Sequence, residues 1–510
     1  MAVPAPGAPR PPAPQYSHRE VLGMLSGALL GLLLAALDQT IVVTALPSIA
    51  ADFNGLEHLA WIVTAYLLTS TASTPIYGKL SDLYGRRRLI QIAIVLFVAA
   101  SAFCALAQGM GQLIAARALQ GIGGGGLISL SQAIIADIIA PRERGRYQVY
   151  MSGVWGVASV GGPVVGGLFV QYLTWRWVFW INLPIGLLGL ALAHRALKRL
   201  PVRRVPARID YLGAAILTPA VVALLLVFSW GGVEFSWLSP EILGLAAAGL
   251  LMVGLFALQE MRAPEPLLPP RLFRNPVILV GNIIGFVVSA GMFGATVLLP
   301  TFLQLVLGMS PGNTGLLLIP LMGGTVLGAY PTGQWMRHSG RYKKAPLITL
   351  SLAVLSFGLL ATTGSSTPPL LVAFYILLLG VGVGGAMPAT LVAVQNAAEM
   401  RDTGTATSSV TFFRSLGGSF GAAILWSILL VTVEGQVAAL GVAGTGLPRD
   451  LLRGGTLALS PAARDILAQS FDWAFAGGAA MMVAAVLGTL AWKEIPLRES
   501  LTRSELPIEF

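Results

Sequence analysis

Three charged residues stand inside long apolar stretches, and their types are those of a proton relay. Asp38, in LDQTIVVTALP (Leu37 to Pro47), lies about nine residues, or ~13 Å of helix, from one end of its stretch. A carboxylate at that depth costs ~2.5 to 3.5 kcal/mol on insertion scales, so it must face a cavity or a partner, and it is able to take up a proton. Arg117, at similar depth from the same side, is its natural partner. Such a pair either opens and closes as protons pass or joins two helices permanently. Arg414 has no acid at its depth in the second half of the chain. It is either satisfied by carbonyls and hydroxyls or repels a proton or cation during a cycle.

A second group is GKLSDLYGRRR, Gly78 to Arg88, read as a short charged loop between two apolar stretches. A solvated basic loop needs neither Asp82 nor glycines at fixed spacing, so Gly78, Asp82, Gly85 and Arg86 point to a structural role. GGPVVGG (Gly161 to Gly167) sets Gly162, Gly166 and Gly167 around Pro163, which allows close helix approach and a local bend. Trp155, Met292, Phe293, Phe412 and Phe413 either line an adaptable cavity for lipophilic ligands or simply pack helices.

The elements that must position these residues are transmembrane helices. The chain has 510 residues, 55% hydrophobic and 11% charged, with mean hydropathy +0.78. A soluble domain is about a quarter charged, so that class is excluded. Net charge is +10, but the basic residues sit in short loops, where membrane orientation accounts for them and nucleic acid need not. A spanning helix needs ~20 mostly apolar residues, and fourteen stretches qualify, from Val21–Leu46 to Trp473–Trp492. Of 32 Lys and Arg, 26 fall on one side of these spans and four (Arg176, Arg449, Arg453, Arg464) on the other, which places both termini in the cytoplasm.

The expected organisation is a disordered proline-rich tail (1–20), a six-helix bundle (21–197), a linker region with two additional helices (198–276), a second six-helix bundle (277–494) and a second tail (495–510). The second bundle includes an outer loop, 434–472, with Ser460-Pro461 starting a short amphipathic surface helix. Cys104, the only cysteine, excludes an intrachain disulfide. GIGGGG at Gly121 and GVGVGG at Gly380 satisfy G-x-G-x-x-G but follow no strand, and GGSFG at Gly417 satisfies G-x-S-x-G with no histidine nearby. None is read as a catalytic or nucleotide site, and no nucleotide-binding lysine loop is present. No cofactor is expected; energy must come from a gradient.

The chain repeats itself. GQWMRHSGRYK (Gly333 to Lys343) follows GKLSDLYGRRR at an offset of 255, and LLGVGVGG at Leu378 follows LQGIGGGG at Leu119 at an offset of 259. Such duplication is common in secondary transporters. The first loop resembles the loop 2-3 signature of the major facilitator superfamily, G-x-x-x-D-x-x-G-R-[RK]-[RK]. LDQTIVVTALP resembles its LDxTIVNVALP motif, departing at Val43, and Arg117, Gln120 and Gly121 match R-x-x-Q-G. Gly162, Pro163, Gly166 and Gly167 resemble the exporter-associated G-P-x-x-G-G motif, whose upstream glycine is here Ala158.

With fourteen spans, the chain is similar to the fourteen-helix drug:proton antiporter family. The resemblance implies an all-α polytopic membrane protein of major facilitator fold, with two bundles and two extra central helices, working by alternating access. It further implies that Asp82 and Arg86 form a cytoplasmic latch, with Asp137 pairing to Arg86. A monomer in the cell membrane that exchanges protons for lipophilic, cationic compounds is the expected activity. A lipid or lipid-conjugate transporter on the same fold and a non-transporting scaffold or sensor are the alternatives.

Overall fold

The computed structural model describes residues 18–53, 58–196, 210–232, 234–439 and 461–498. The expected N-terminal tail up to residue 17, the linker at 197–209, the loop at 440–460 with Ser460, and the C-terminal tail from 499 lie outside the described residues.

Every regular element among the described residues is helical. The first bundle comprises α1 (His18–Phe53), α2 (Leu59–Tyr84), α3 (Arg86–Ala105), α4 (Met110–Ile138), α5 (Pro141–Tyr172), α6 (Trp177–Trp180) and α7 (Asn182–Ala196). Then come α8 (Tyr211–Trp230), α9 (Pro240–Arg262) and the short α10 (Pro270–Arg274). The second bundle comprises α11 (Pro276–Leu305), α12 (Pro311–Ser339), α13 (Lys344–Leu360), α14 (Pro369–Ala397), α15 (Thr403–Ala439) and α16 (Pro461–Ala491). Several starts pair a side-chain cap with a proline at the first helical position, where its missing N–H costs nothing. Asn275 before Pro276, Ser239 before Pro240 and Ser310 before Pro311 each accept a hydrogen bond from the first turn.

Among the described residues, twelve helical segments are long and apolar enough to cross a membrane, two fewer than the sequence suggested. The two outside this set are α2, whose middle carries Ser70, Thr71, Ser73 and Thr74, and α13, with 17 residues. Three expectations need correction. GKLSDLYGRRR is not a loop: α2 runs through Tyr84, and Gly85 alone, at φ 88°, turns the chain into α3. The sixth span is broken at Ile181, because Pro184 has no N–H to return to Trp180. Finally, Pro461 opens no separate surface helix. It starts α16, which continues unbroken into the last span because Leu467, Phe471 and Phe475 are buried in the second bundle's core.

The repeat is visible in the packing. A Cβ on Gly125 of α4 would stand 2.2 Å from the Ser70 carbonyl oxygen of α2, and one on Gly384 of α14 would stand 2.2 Å from that of Thr325 on α12. Gly384 follows Gly125 by 259 residues and Thr325 follows Ser70 by 255, the two repeat offsets. The glycine runs therefore let backbones touch. Gly125→Ala should lower the apparent Tm by several degrees, in line with the ~1–3 kcal/mol typical of overpacking. Gly167→Ala, facing open space, should not. Paired thermal melts check this.

The hairpin of α8 and α9 lies outside the bundles and covers one seam between them. Leu217, Val221 and Leu225 of α8 join Leu68 and Ala72 of α2 and Phe412 of α15 in one buried cluster. Towards the far end of α8, Trp230 meets Trp61 edge-on at 5.7 Å and Phe228 meets Phe420 at 5.3 Å.

Candidate functional site

Asp38 is fully buried, and its two oxygens accept from three side chains on two other helices, α4 and α7. Oδ2 accepts from the Arg117 guanidinium at 2.5 Å. Oδ1 accepts from Gln120 Nε2 at 2.8 Å and from Asn182 Nδ2 at 3.1 Å. Arg117 also donates to Gln120 Oε1 at 2.7 Å and, through Nε, to the Ile62 carbonyl at 3.1 Å, while its guanidinium lies 4.4 Å from the centre of the Tyr66 ring. Asn182 also donates to Ser101 Oγ at 3.0 Å. The charges are paired and doubly hydrogen-bonded, which is the condition for holding ions in a low-dielectric interior. Two polar atoms in this buried cluster have no partner among the described residues, Tyr66 Oη and Asn182 Oδ1.

Local sequence explains the placement. Arg117 and Gln120 stand three apart on α4, hence on one face. Asn182 opens α7 at the Ile181 break, where the chain resumes its helix beside α3. The G-P-x-x-G-G residues hold α1 from its other side: a Cβ on Gly162 would meet Thr40 Oγ1 at 2.0 Å and one on Gly166 would meet Thr44 Oγ1 at 2.2 Å. Thr40 donates to the Ala158 carbonyl at 2.8 Å. Pro163 is exposed, and Gly167 faces open space.

Arg414 does not join this cluster. It donates to the Met387 carbonyl at 2.5 Å and to Thr390 Oγ1 at 2.7 Å, and no carboxylate is among its partners. The aromatic group is also dispersed. Phe412 and Phe413 pack in the cluster between α15, α2 and the α8 hairpin, with Phe413 6.0 Å from Phe273. Met292 packs on the second bundle's core and Trp155 on α1 beside Leu37, whereas Phe293 is exposed.

At the basic end, polar bonds join the bundles. Arg86 donates through Nε to Asp137 at 2.9 Å, through Nη2 to Asp82 at 2.6 Å, and through Nη1 to Ser81. Asp82 reaches across the seam to accept from Gly404 N at 2.9 Å, Thr405 N at 2.8 Å and Thr405 Oγ1 at 2.9 Å. It thus caps the start of α15, where unpaired N–H groups and the helix dipole favour an anion. On the other seam Gly145 of α5 touches Gly333 of α12: a Cβ on Gly333 would stand 2.4 Å from the Gly145 oxygen. Beside it Arg337 pairs with Glu143 at 2.8 Å and Arg142 donates to the Arg337 carbonyl at 2.7 Å. Buried Arg144 donates to the carbonyls of Ala136 and Ile139 and to Gln395 of α14. Beneath α12, burial pushes the Tyr342 phenol up to about 12, so across ordinary pH it remains the donor to the Lys493 carbonyl at 2.6 Å.

Sequence reasoning missed Asn182, Ser101 and Tyr66. An asparagine directly before a proline-containing apolar run was the one available sign of the first.

A sequence profile described as Major Facilitator Superfamily matches residues 28–422. The chain is 40% identical over 400 residues to an uncharacterized MFS-type transporter of Mycobacterium tuberculosis, covering 78% of this chain and 58% of that relative's length. It is 38% identical over 408 residues to the multidrug transporter protein MdtP of Bacillus subtilis, covering 80% of this chain and 75% of the relative. In fold it is similar to the human organic anion transporter MFSD10 (TETRAN), with a TM-score of 0.64 at 17% identity, covering 93% of this chain and all of that one. Helical architecture, internal repeat and profile agree that this chain belongs to the Major Facilitator Superfamily.

Proposed function

We propose that the chain is a proton-coupled exporter of lipophilic, cationic compounds, working by alternating access, and that Asp38 is its proton-carrying group. The observation that carries this reading is the buried cluster in which Asp38 is held by Arg117, Gln120 and Asn182. A carboxylate placed so deep is costly, and its retention in a transporter is most economically explained by a task that needs ionisation to change. The multidrug transporter named among its relatives supports the substrate class. The G-P-x-x-G-G contact with α1, one turn from Asp38, supports outward transport.

In this reading α2 and α13 also cross the membrane, giving fourteen spans, and the basic end is cytoplasmic. Both would be needed for α4 and α14 to keep their glycine faces covered. The Asp82 cap on α15 and the Gly145–Gly333 crossing then act as the cytoplasmic latch, closed here. Protonation of Asp38 from outside removes half of the ion pair, frees Arg117 and favours release of the cation. Deprotonation inside restores the pair and the binding state. Arg414, held by α14 alone, serves structure. The protein acts as a monomer in the cell membrane and needs no cofactor.

Exchange of one proton for one monovalent cation moves no net charge, so the ~2.3 kcal/mol per charge per 100 mV of membrane potential drops out. Proteoliposomes with a pH gradient and no potential should accumulate a lipophilic cation, and those with a potential but no pH gradient should not. Accumulation driven by potential alone, or strong transport of uncharged lipids without response to cations, would reverse the reading.

A further inference from the structure

We propose that the groove between α3 and α7 binds an anionic phospholipid from the leaflet at the basic end, with its acyl chain in the groove and its phosphate on the arginines at the groove's end. The groove has a volume of about 940 Å³. One wall is a single face of α3, Arg88, Gln91, Ile92, Val95 and Ala99; the other is a face of α7, Leu187, Leu190, Ala191, His194 and Arg195. Ile92, Val95 and Leu187 are more than half exposed, so in a bilayer they face hydrocarbon. From Arg88 to Ala99 the helix rises roughly 16 Å, close to the ~15 Å hydrocarbon depth of one leaflet. The trough therefore matches one acyl chain.

Charge selects the headgroup. All cations lining the groove stand at its basic end, and no carboxylate lines it. Arg88 has no ion-pair or hydrogen-bond partner among the described residues, and Arg87 and Gln91 turn their donors on His194, at 3.4 and 3.2 Å. These arginines occupy the first turn of α3, which has no acidic residue and no side-chain cap from Gly85. Cations at a helix N-terminus oppose its dipole; Asp82 and Asp137 answer Arg86, whereas Arg87 and Arg88 have no carboxylate partner among the described residues. A phosphate there would meet the guanidinium groups, the first-turn N–H groups and Arg195 together. A neutral or zwitterionic lipid would leave this charge uncompensated, whereas basic pockets of this kind between helices take anionic headgroups.

The test uses the full-length protein, purified, delipidated by detergent exchange and supplied with phosphatidylglycerol, phosphatidylcholine or glycerol 1-phosphate. Native mass spectrometry reads bound lipid, and thermal melts read stabilisation. Phosphatidylglycerol should be retained and raise Tm; phosphatidylcholine should do so weakly and glycerol 1-phosphate not at all. Arg88→Ala with Arg195→Ala should weaken retention roughly thirtyfold, at ~1 kcal/mol per basic residue and 1.4 kcal/mol per factor of ten. Ala99→Phe, at an exposed position, should fill the trough and also reduce it. Both variants should melt like the wild type when no lipid is added. Equal retention of phosphatidylcholine, equal stabilisation by glycerol 1-phosphate, or undiminished phosphatidylglycerol binding in either variant overturns the proposal.

Discussion

Asp38→Asn is expected to abolish proton exchange, by at least a hundredfold, and to destabilise the protein as well. Asparagine has the same shape and can keep the contacts of Oδ1 with Gln120 or Asn182, but it cannot ionise. Arg117 then stays buried with a ring, an amide and the Ile62 carbonyl for company and no counter-charge. Removing one partner of a buried pair costs ~3–5 kcal/mol, whereas replacing both is often neutral. The double variant Asp38→Asn with Arg117→Gln should therefore recover much of the lost Tm while remaining inactive. Melting both variants and measuring substrate-triggered proton flux separates the two roles. A double variant that recovered flux as well as stability would remove Asp38 from the coupling step.

Gly333→Leu should hold the basic end open and reduce transport more than tenfold. The crossing of α12 and α5 leaves no room for a side chain, since a Cβ on Gly333 would lie 2.4 Å from a backbone oxygen and 3.1 Å from the Arg146 nitrogen. Backbone cannot step aside, so the helices must separate, taking Arg337 from Glu143 and from Arg142. Gly78→Ala on the other seam should act more mildly. Its Cβ would lie 2.5 Å from Ser408 Cβ and 2.9 Å from the Gly404 oxygen, so this crossing must open too, but a single methyl group forces less separation than a leucine. Cys104 is buried, so spin labels placed at exposed Tyr84 and Arg341 can report the separation of the bundles without interference. A longer distance in Gly333→Leu than in the wild type is the expected result, with Gly78→Ala between them.

Much of this arrangement was legible before the coordinates. Depth alone paired Asp38 with Arg117, because two opposite charges at one level of a membrane must meet or pay for isolation. The repeat offsets already aligned the glycine runs that hold Gly125 and Gly384. Asn182 was barely legible: beyond the proline-containing run that follows it, a single amide carries no periodic signal, and it reaches Asp38 across 144 residues. The extent of α2 was misread because charged residues on a helix that leaves the bilayer look like those of a loop. Whether Phe412 and Phe413 line a cavity or pack helices stayed open for a different reason. Nothing local tells whether an aromatic faces a cavity or the α8 hairpin, whose seat on the seam depends on contacts with two distant helices.

The most direct measurement is proton release on binding. Purified protein in weakly buffered detergent solution, with a pH indicator, is mixed with a lipophilic cation at a series of starting pH values. About one proton released per cation bound by the wild type, and none by Asp38→Asn with its binding retained, is the expected result. Binding without release in the wild type, or equal release in both, would contradict a coupling role for Asp38.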